Sequence, residues 1–326
     1  MNPAVAKTKS SPRKRLQKTP RWSLRQARGL QILEAPPLAQ LDWIVHGFST
    51  RPGGASELER HRDGRKTSEK VLNLGFAEWD SREHVLKNRQ NFFAALNANG
   101  MRVIGLRQIH SDIIHIAHST DSEPSADAPK ADAPKADALI TNESGLLLVV
   151  QVADCVPILL ADKKRRAIAA IHSGWRGTLQ RIAEKALGRM QMEFGTRPRD
   201  VIAALGPGIG QCCFEVGPEV VAEYAAKFPD ARGWFKGPFD SLARGDNDPN
   251  WLPWLTMRPP GHQPPEPRAH LDLIAANRSI LNAAGVPSGN IFSSDFCTAC
   301  RTDLFFSFRR ERITGRMMAA IGIRRF

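Results

Sequence analysis

The chain has 326 residues, 42% of them hydrophobic, enough for one large domain or two ordinary ones around a substantial core. No run approaches the ~20 consecutive apolar residues of a membrane-spanning helix, so no helical span is expected. The net charge of +13 is unevenly placed: Lys7, Lys9, Arg13, Lys14, Arg15, Lys18, Arg21, Arg25 and Arg28 put nine cations and no acid into residues 1–29, leaving +4 for the rest.

Residues 1–29 are therefore expected to form a disordered basic tail. A nucleic-acid arm is the sharper alternative, but Trp22 is the only aromatic residue there, so nucleic acid is not the expected partner. The segment also has the composition of a transit peptide, and it lacks the apolar stretch of a secretory signal. Ordered sequence is expected from Leu30 to the C-terminus as one domain. Leu41 to Phe48 reads as a strand, Ser49 to Gly54 as a Gly/Pro loop, and residues 55–70 as a polar, mobile stretch. Ser81 to Ala98 has the spacing of an amphipathic helix ending at Asn99-Gly100, and Val103 to His110 reads as a strand entering a loop.

Residues 121–137 carry a short repeat, Ala126-Asp127-Ala128-Pro129-Lys130 then Ala131-Asp132-Ala133-Pro134-Lys135 then Ala136-Asp137, expected to be a loop insertion. Ala138–Thr141, Leu146–Val152 and Val201–Leu205 are apolar and β-rich. Thr178 is the expected N-cap of a helix whose apolar positions run from Leu179 to Met190. The Pro-, Gly- and Trp-rich residues 236–269 read as a second insertion, His270 to Ala284 as a helix, and Ile291–Phe296, Leu304–Phe308 and Met317–Ile323 as closing strands. Strands and helices alternate without a clean βαβ rhythm. The expected class is α+β of α/β/α type, with mixed sheets flanked by helices.

The chemistry concentrates around Cys155 and His172. Cys155 precedes the apolar run Val156–Ala161, and His172 ends the run Ala167–Ile171, with a charged turn between. A two-residue turn at Lys163-Lys164 would set the thiol directly opposite the imidazole, with Cβ atoms ~5 Å apart. Such a pair can share a metal ion or act as nucleophile and base. A lone Cys in an apolar run is ordinarily a small buried hydrophobe, and it is Asp154 beside it and His172 opposite that favour a site. The chain has five cysteines, Cys155, Cys212, Cys213, Cys297 and Cys300, an odd and sparse set that does not read as a disulfide scaffold. A reducing compartment, the cytoplasm, is the expected location. Cys297-x-x-Cys300 with Cys212-Cys213 makes four thiols, but adjacent cysteines match zinc-knuckle spacing poorly.

Several ordered motifs resemble one family. They are His46-Gly47-Phe48-Ser49-Thr50-Arg51 with Gly53-Gly54, Asn73-Leu74-Gly75, Gln108-Ile109-His110, and Ala153-Asp154-Cys155-Val156-Pro157. His172-Ser173-Gly174-Trp175-Arg176-Gly177-Thr178, Gly206-Pro207-Gly208-Ile209, Cys213-Phe214-Glu215-Val216-Gly217, Phe305-Phe306-Ser307-Phe308-Arg309-Arg310 and Thr314-Gly315-Arg316 follow. The chain from about residue 40 onward resembles the purine nucleoside phosphorylases long labelled multicopper polyphenol oxidase or laccase-domain proteins, some of them called peptidoglycan editing factor. Ser111 stands where that family usually has Gly, Ser173 where Ala is common, and Phe214 where Tyr is commoner.

The resemblance implies a metal triad of His110, Cys155 and His172, with zinc the usual ion and copper an alternative. It implies phosphorolysis of adenosine, inosine or guanosine to free base and ribose 1-phosphate, with added adenosine deaminase and methylthioadenosine phosphorylase activities. It also makes Arg51 and Arg176 expected contacts of anionic or polar substrate groups, with Asn73 in a matching motif. Glu215 is a candidate for ribose hydroxyls or an ion pair with arginine, and Arg309, Arg310 and Arg316 are further anion candidates. Two other enzyme readings remain at this point: peptidoglycan editing with Cys155 as nucleophile and His172 as base, and copper-dependent phenol oxidation, for which the nearby histidines are too few. Oligomeric state is open, a monomer included.

Overall fold

A computed structural model of the chain describes residues 22–62, 65–121, 133–243 and 268–325. Residues 1–21 of the expected tail, 122–132 of the repeat and 244–267 of the second insertion lie outside the described residues. The described chain opens with β1 (Ser23–Ala27) and β2 (Leu30–Glu34), then α1 (Pro36–Ala39) and β3 (Ile44–Ser49). A long hairpin, β4 (Pro52–Arg62) and β5 (Arg65–Val71), leads to α2 (Arg82–Ala95). Next come β6 (Arg102–Ile104), β7 (Ile114–Ile116), β8 (Ala138–Thr141) and β9 (Leu146–Val152). The centre is β10 (Val156–Asp162), β11 (Ala167–Ser173), α3 (Trp175–Leu179), α4 (Ile182–Phe194) and β12 (Val201–Leu205). β13 (Glu215–Val216), α5 (Pro218–Lys227), β14 (Phe235–Lys236), α6 (Phe239–Ala243) and β15 (Ala269–Leu271) follow. The last elements are α7 (Leu273–Ala283), β16 (Ile291–Ser293), α8 (Phe308–Glu311) and β17 (Met317–Ile323).

Two six-stranded mixed sheets dominate, in the orders β1-β2-β3-β17-β9-β6 and β16-β12-β10-β11-β8-β7. They pack face to face: Phe48, Leu148, Val150 and Ile321 of one meet Leu159, Ala161, Ile168 and Ala204 of the other. The alternate residues of the same strands point outward and are covered by helices. α2 caps the first sheet through Phe92 and Ala95, against Leu147 and Ala320. α4, α5 and α7 cap the second through Ala186, Met190, Tyr224 and Ile280, against Ile158, Leu160 and Ile171. The expected mixed sheets flanked by helices are thus present, in four layers. A strand buried on both faces needs a continuous apolar run, which is why β9 to β12 read without alternation.

The structure corrects several local expectations. Order begins by Trp22: β1 pairs with β2 through Ser23↔Glu34 to Ala27↔Leu30, and the Trp22 ring lies 5.2 Å from that of Phe48. Residues 55–62 and 65–70 are paired strands of β4 and β5, their polar composition being that of a two-stranded ribbon outside the large sheets. His270 lies in β15, and the helix begins only after Asp272, whose carboxylate caps Ala275 N–H. Residues 304–307 form no strand; Phe305 and Phe306 are core residues of a turn leading into α8. Val103–His110 is strand only to Ile104.

The β10–β11 register also differs. Val156 faces Ser173, Pro157 faces His172 and Asp162 faces Ala167, so the pairing slides by two residues and Cys155 stands just before its strand. The reason is the turn. Asp162 Oδ1 accepts from Lys164 and Arg165 N–H at 2.8 and 3.1 Å, and Arg166 takes φ +52°, which builds a four-residue turn instead of two. A slide of two preserves the face on which each side chain lies.

Candidate active site

One carboxylate organises the site. Asp137 is fully buried just before β8 and accepts from the N–H groups of Ile109, His110 and Ser111 at 3.2, 3.0 and 2.7 Å. It also takes the Ser111 hydroxyl at 2.7 Å and His172 Nδ1 at 2.8 Å. These bonds hold His110 at φ +59°, a left-handed conformation that a non-glycine residue keeps only when its surroundings impose it. Gln108 anchors the same loop from the other side, its amide exchanging two 2.8 Å bonds with the backbone of Gln151 at the end of β9. Burial would raise the Asp137 carboxyl, but the donors from His172 and Ser111 outweigh it and hold it down at about 2.

Asp154 plays the matching part for the thiol. At φ +86° it turns the chain out of β9 into β10, and its oxygens accept from Thr298 Oγ1 at 2.7 Å and Arg309 N–H at 2.6 Å. Cys155 follows at the mouth of the strand. The donor atoms of His110, Cys155 and His172 all lie within 4.8 Å of one another, and the two imidazoles meet edge to face at 4.9 Å. Gly174 leaves the space they occupy, since a Cβ there would stand 2.8 Å from Cys155 Sγ and 3.4 Å from His110 Cδ2.

Burial opposes charge on both Cys155 and His172, yet each stabilises the ionised partner. Against burial, the nearby His172 and the hydrogen bond from His110 bring the thiol down to about 6. Likewise Cys155 and Asp137 lift His172 to about 9. A thiolate and two imidazoles are the donors of a three-ligand zinc site with one position left for water or substrate. His172 Nδ1 is engaged by Asp137, so Nε2 is its free donor. The donor set therefore fits a single zinc or copper ion. Among the described residues, His, Cys, Asp and Glu groups of this size converge at one other place only, the four remaining cysteines, so the histidines of a multicopper cluster are not assembled there.

The triad opens into a cavity of about 660 Å³ whose walls include Arg89, Arg107, Arg176, Arg309 and Arg316, the aromatic rings of Phe76, Trp175, Phe214 and Phe308, and a single carboxylate, Asp154. Among the described residues none of these five arginines is ion-paired. Arg309 is braced by Glu215 O at 2.7 Å, Arg316 by Gly315 O at 3.1 Å, and Arg89 by Leu74 O at 2.9 Å with its guanidinium 4.6 Å from the Phe76 ring. Burial lowers Arg89 to about 10 and also lowers Arg316. Arg176 stacks on Trp175 at 4.4 Å, in the first turn of α3 and not ahead of a helix starting at Thr178. The hydroxyl of Thr178 instead joins Ser173 and Asn277 in a buried network.

The remaining expected substrate residues lie elsewhere. Arg51 is 1% exposed and does not line the cavity: it pairs with Glu69 and with Glu311 at 2.8 Å, and lies 5.0 Å from the Phe306 ring centroid. Its two carboxylates neutralise the charge an anion would need. Asn73 is buried beside the site and not in it, bonding Gly75, Asp80 and, through Oδ1, the N–H of Arg316 at 2.9 Å. Glu215 ion-pairs with Arg268 at 3.0 Å and reaches the cavity only through its carbonyl on Arg309. Asp137 and Arg89 escaped the sequence reading, and Gln108 was noted only as part of the motif before His110, without a role. Asp137 had one signal: the third Ala-Asp of the repeat runs straight into Ala138-Leu139-Ile140 instead of another Pro-Lys.

The sequence matches the family described as multi-copper polyphenol oxidoreductase laccase over residues 45–324. The chain belongs to this family. It is 34% identical over 300 residues to "Purine nucleoside phosphorylase YlmD" of Geobacillus stearothermophilus, which covers 92% of this chain and 96% of that protein. It is 35% identical over 278 residues to "Adenosine deaminase RL5" of an unknown prokaryotic organism, covering 85% and 93%. The crystal structure of YlmD from Geobacillus stearothermophilus shares the laccase-like fold, with a TM-score of 0.72 at 32% identity over 93% of this chain and 99% of that one.

Proposed function

We propose that this laccase-like chain is a zinc-dependent purine nucleoside phosphorylase, converting adenosine, inosine or guanosine and phosphate into free base and ribose 1-phosphate. The observation that carries the reading is the meeting, in one cavity, of a His110–Cys155–His172 donor set with five arginines that have no ion-pair partner among the described residues. A phosphate co-substrate needs such cations, and guanidinium pairs with its oxygens through two parallel N–H bonds. The names borne by its relatives agree with nucleoside chemistry.

Arg176, Arg309 and Arg316 hold phosphate at the cavity wall. Trp175, Phe214 and Phe308 offer flat apolar faces to a purine. Arg309 is positioned twice over, its N–H on Asp154 and its guanidinium on Glu215 O, so the anion is met by a fixed charge. Bound at the triad, zinc supplies a Lewis acid that polarises a substrate atom or lowers the pKa of a water. Deamination of adenosine without phosphate is the expected side activity of the same cavity.

A second reading rests on the row Cys155, His172 and Asp137, which has the form of nucleophile, base and orienting carboxylate. It would suit peptidoglycan editing, the removal of a misincorporated amino acid from a muramyl precursor. Product chromatography separates the readings. Zinc-loaded protein given adenosine should release adenine only with phosphate, and Cys155→Ala and His110→Ala should both abolish it. Inosine alone, formed without phosphate, would leave a deaminase. Absence of both products, and of free base from inosine and guanosine with phosphate, would remove the purine reading, and hydrolysis of a muramyl peptide surviving His110→Ala would establish the thiol mechanism.

A further inference from the structure

Beyond the cavity, the other four cysteines form a cluster of their own. Cys212 and Cys213 sit in a turn closed by Cys213 N–H to Gly210 O at 2.9 Å, and Cys297 and Cys300 sit in a turn closed by Arg301 N–H to Cys297 O at 3.0 Å. The two turns face each other. All four Sγ atoms lie within 4.8 Å of one another, with Cys300 at 3.5 Å from Cys212 and 3.4 Å from Cys213. A tetrahedral zinc site with Zn–S bonds of ~2.3 Å has sulfur edges of ~3.8 Å, which this spacing brackets.

The backbone is shaped around these sulfurs. Gly210 N–H donates to Cys297 Sγ at 3.2 Å, the bond that a metal-bound thiolate accepts from its surroundings. A Cβ on Gly210 would come within 3.1 Å of Cys297 Cβ and 3.3 Å of Cys212 Sγ, so glycine permits the approach of the two turns. Adjacent cysteines, a poor match in sequence spacing, reach one centre here because the 211–213 turn rotates successive side chains toward the same side.

We propose that Cys212, Cys213, Cys297 and Cys300 bind a second zinc ion, a structural one with four thiolates and no open position. Soft thiolates in a closed tetrahedron select zinc over hard cations. The ion would clamp two segments of the cavity wall. Ile209 and Phe214, on either side of the first turn, line the cavity. Thr298, inside the second, holds the Asp154 carboxylate next to Cys155. The clamp therefore keeps Phe214 and Asp154 in place without touching substrate.

The full chain, purified under reducing conditions, should retain one zinc per chain on account of these cysteines, whatever the cavity holds. Elemental analysis of a His110→Ala/Cys155→Ala variant, in which the cavity site is removed, is the direct count. One zinc there, lost on adding Cys212→Ser and Cys300→Ser, is the expected result; no zinc there overturns the proposal. Should the serine variants not fold, alkylation of the zinc-loaded His110→Ala/Cys155→Ala chain read by mass spectrometry replaces them. The four cysteines should resist labelling until a chelator is added, and labelling indifferent to chelator, or disulfides between them, overturns the assignment. Refilling the same variant with cobalt should give intense sulfur-to-metal absorption, and a weak spectrum without it excludes four thiolates. None of these readouts depends on phosphorolysis, so failure of the proposed activity and failure of the second site are separable.

Discussion

Asp137 has no catalytic motif around it and no exposed surface, yet it sets three parts of the site at once. It fixes the loop conformation at His110, the orientation of His172, and through them the place of Cys155. Carboxylates behind metal-binding histidines commonly carry about 10- to 100-fold of metal affinity. Asp137→Asn should weaken zinc binding by that order in competition with a chromophoric chelator; unchanged affinity would show that the carboxylate only shapes the loop. Gly174 acts by what it lacks. Gly174→Ala puts a methyl group 2.8 Å from Cys155 Sγ, so zinc binding should fall by more than about tenfold while the unfolding midpoint of the metal-free protein hardly moves. A variant that keeps the triad zinc, counted above the one ion expected on the four cysteines, would mean the thiol has room to move aside.

At the scale of elements, short polar contacts decide where helices and loops begin. Ser81 Oγ accepts from His84 N–H at 3.1 Å and caps α2, so Ser81→Ala should cost about 1 kcal/mol in a urea titration. His46, buried in β3, accepts Ala35 N–H on Nε2 at 3.1 Å, which ties the start of α1 to the sheet. Burial holds its pKa down at about 4 from the ordinary 6.5. The unfolded chain therefore binds a proton that the folded chain refuses. The stabilisation is complete above about pH 6.5 and is lost as pH falls toward 4, by about 3 kcal/mol in total. Denaturation at pH 7 and pH 4.5 should show that loss in the parent protein and a smaller one in His46→Gln. Equal losses in both would place the titrating group elsewhere.

At the scale of the whole molecule, a site assembled from three distant segments exists only in the folded chain. A metal that binds there stabilises the fold by mass action, about 2.7 kcal/mol at one hundred times the dissociation constant. Raising zinc should raise the unfolding midpoint of the parent protein, and Cys155→Ala should remove that part of the rise belonging to the cavity. An equal response in both would mean that the metal binds only outside it. Two apolar sheets packed face to face make such a site possible, because loops leaving their ends are held by rigid strands on both sides.

Periodicity and motif content were sufficient for much of this protein. Continuous apolar runs marked β8, β9, β12 and β17 to the residue, because strands buried on both faces leave an unbroken signal. Cys155 and His172 drew attention as chemically capable residues at the ends of two such runs. The rest depended on partners far away in sequence. Arg51 reads as an anion ligand until Glu69 and Glu311 close on it, and four thiols whose spacing matches a zinc site poorly converge only when two turns meet. The β10–β11 register turned on the Asp162 carboxylate, which local pattern does not weigh. Sequence by itself determined the buried strands at the centre of the two large sheets and which residues can do chemistry, since both follow from side-chain type and spacing, whereas the hairpin β4–β5, β1 and β15 were not marked by any such run. Tertiary structure alone decided which charges remain free and which donors converge, because neutralisation and coordination belong to neighbours that only folding brings within reach.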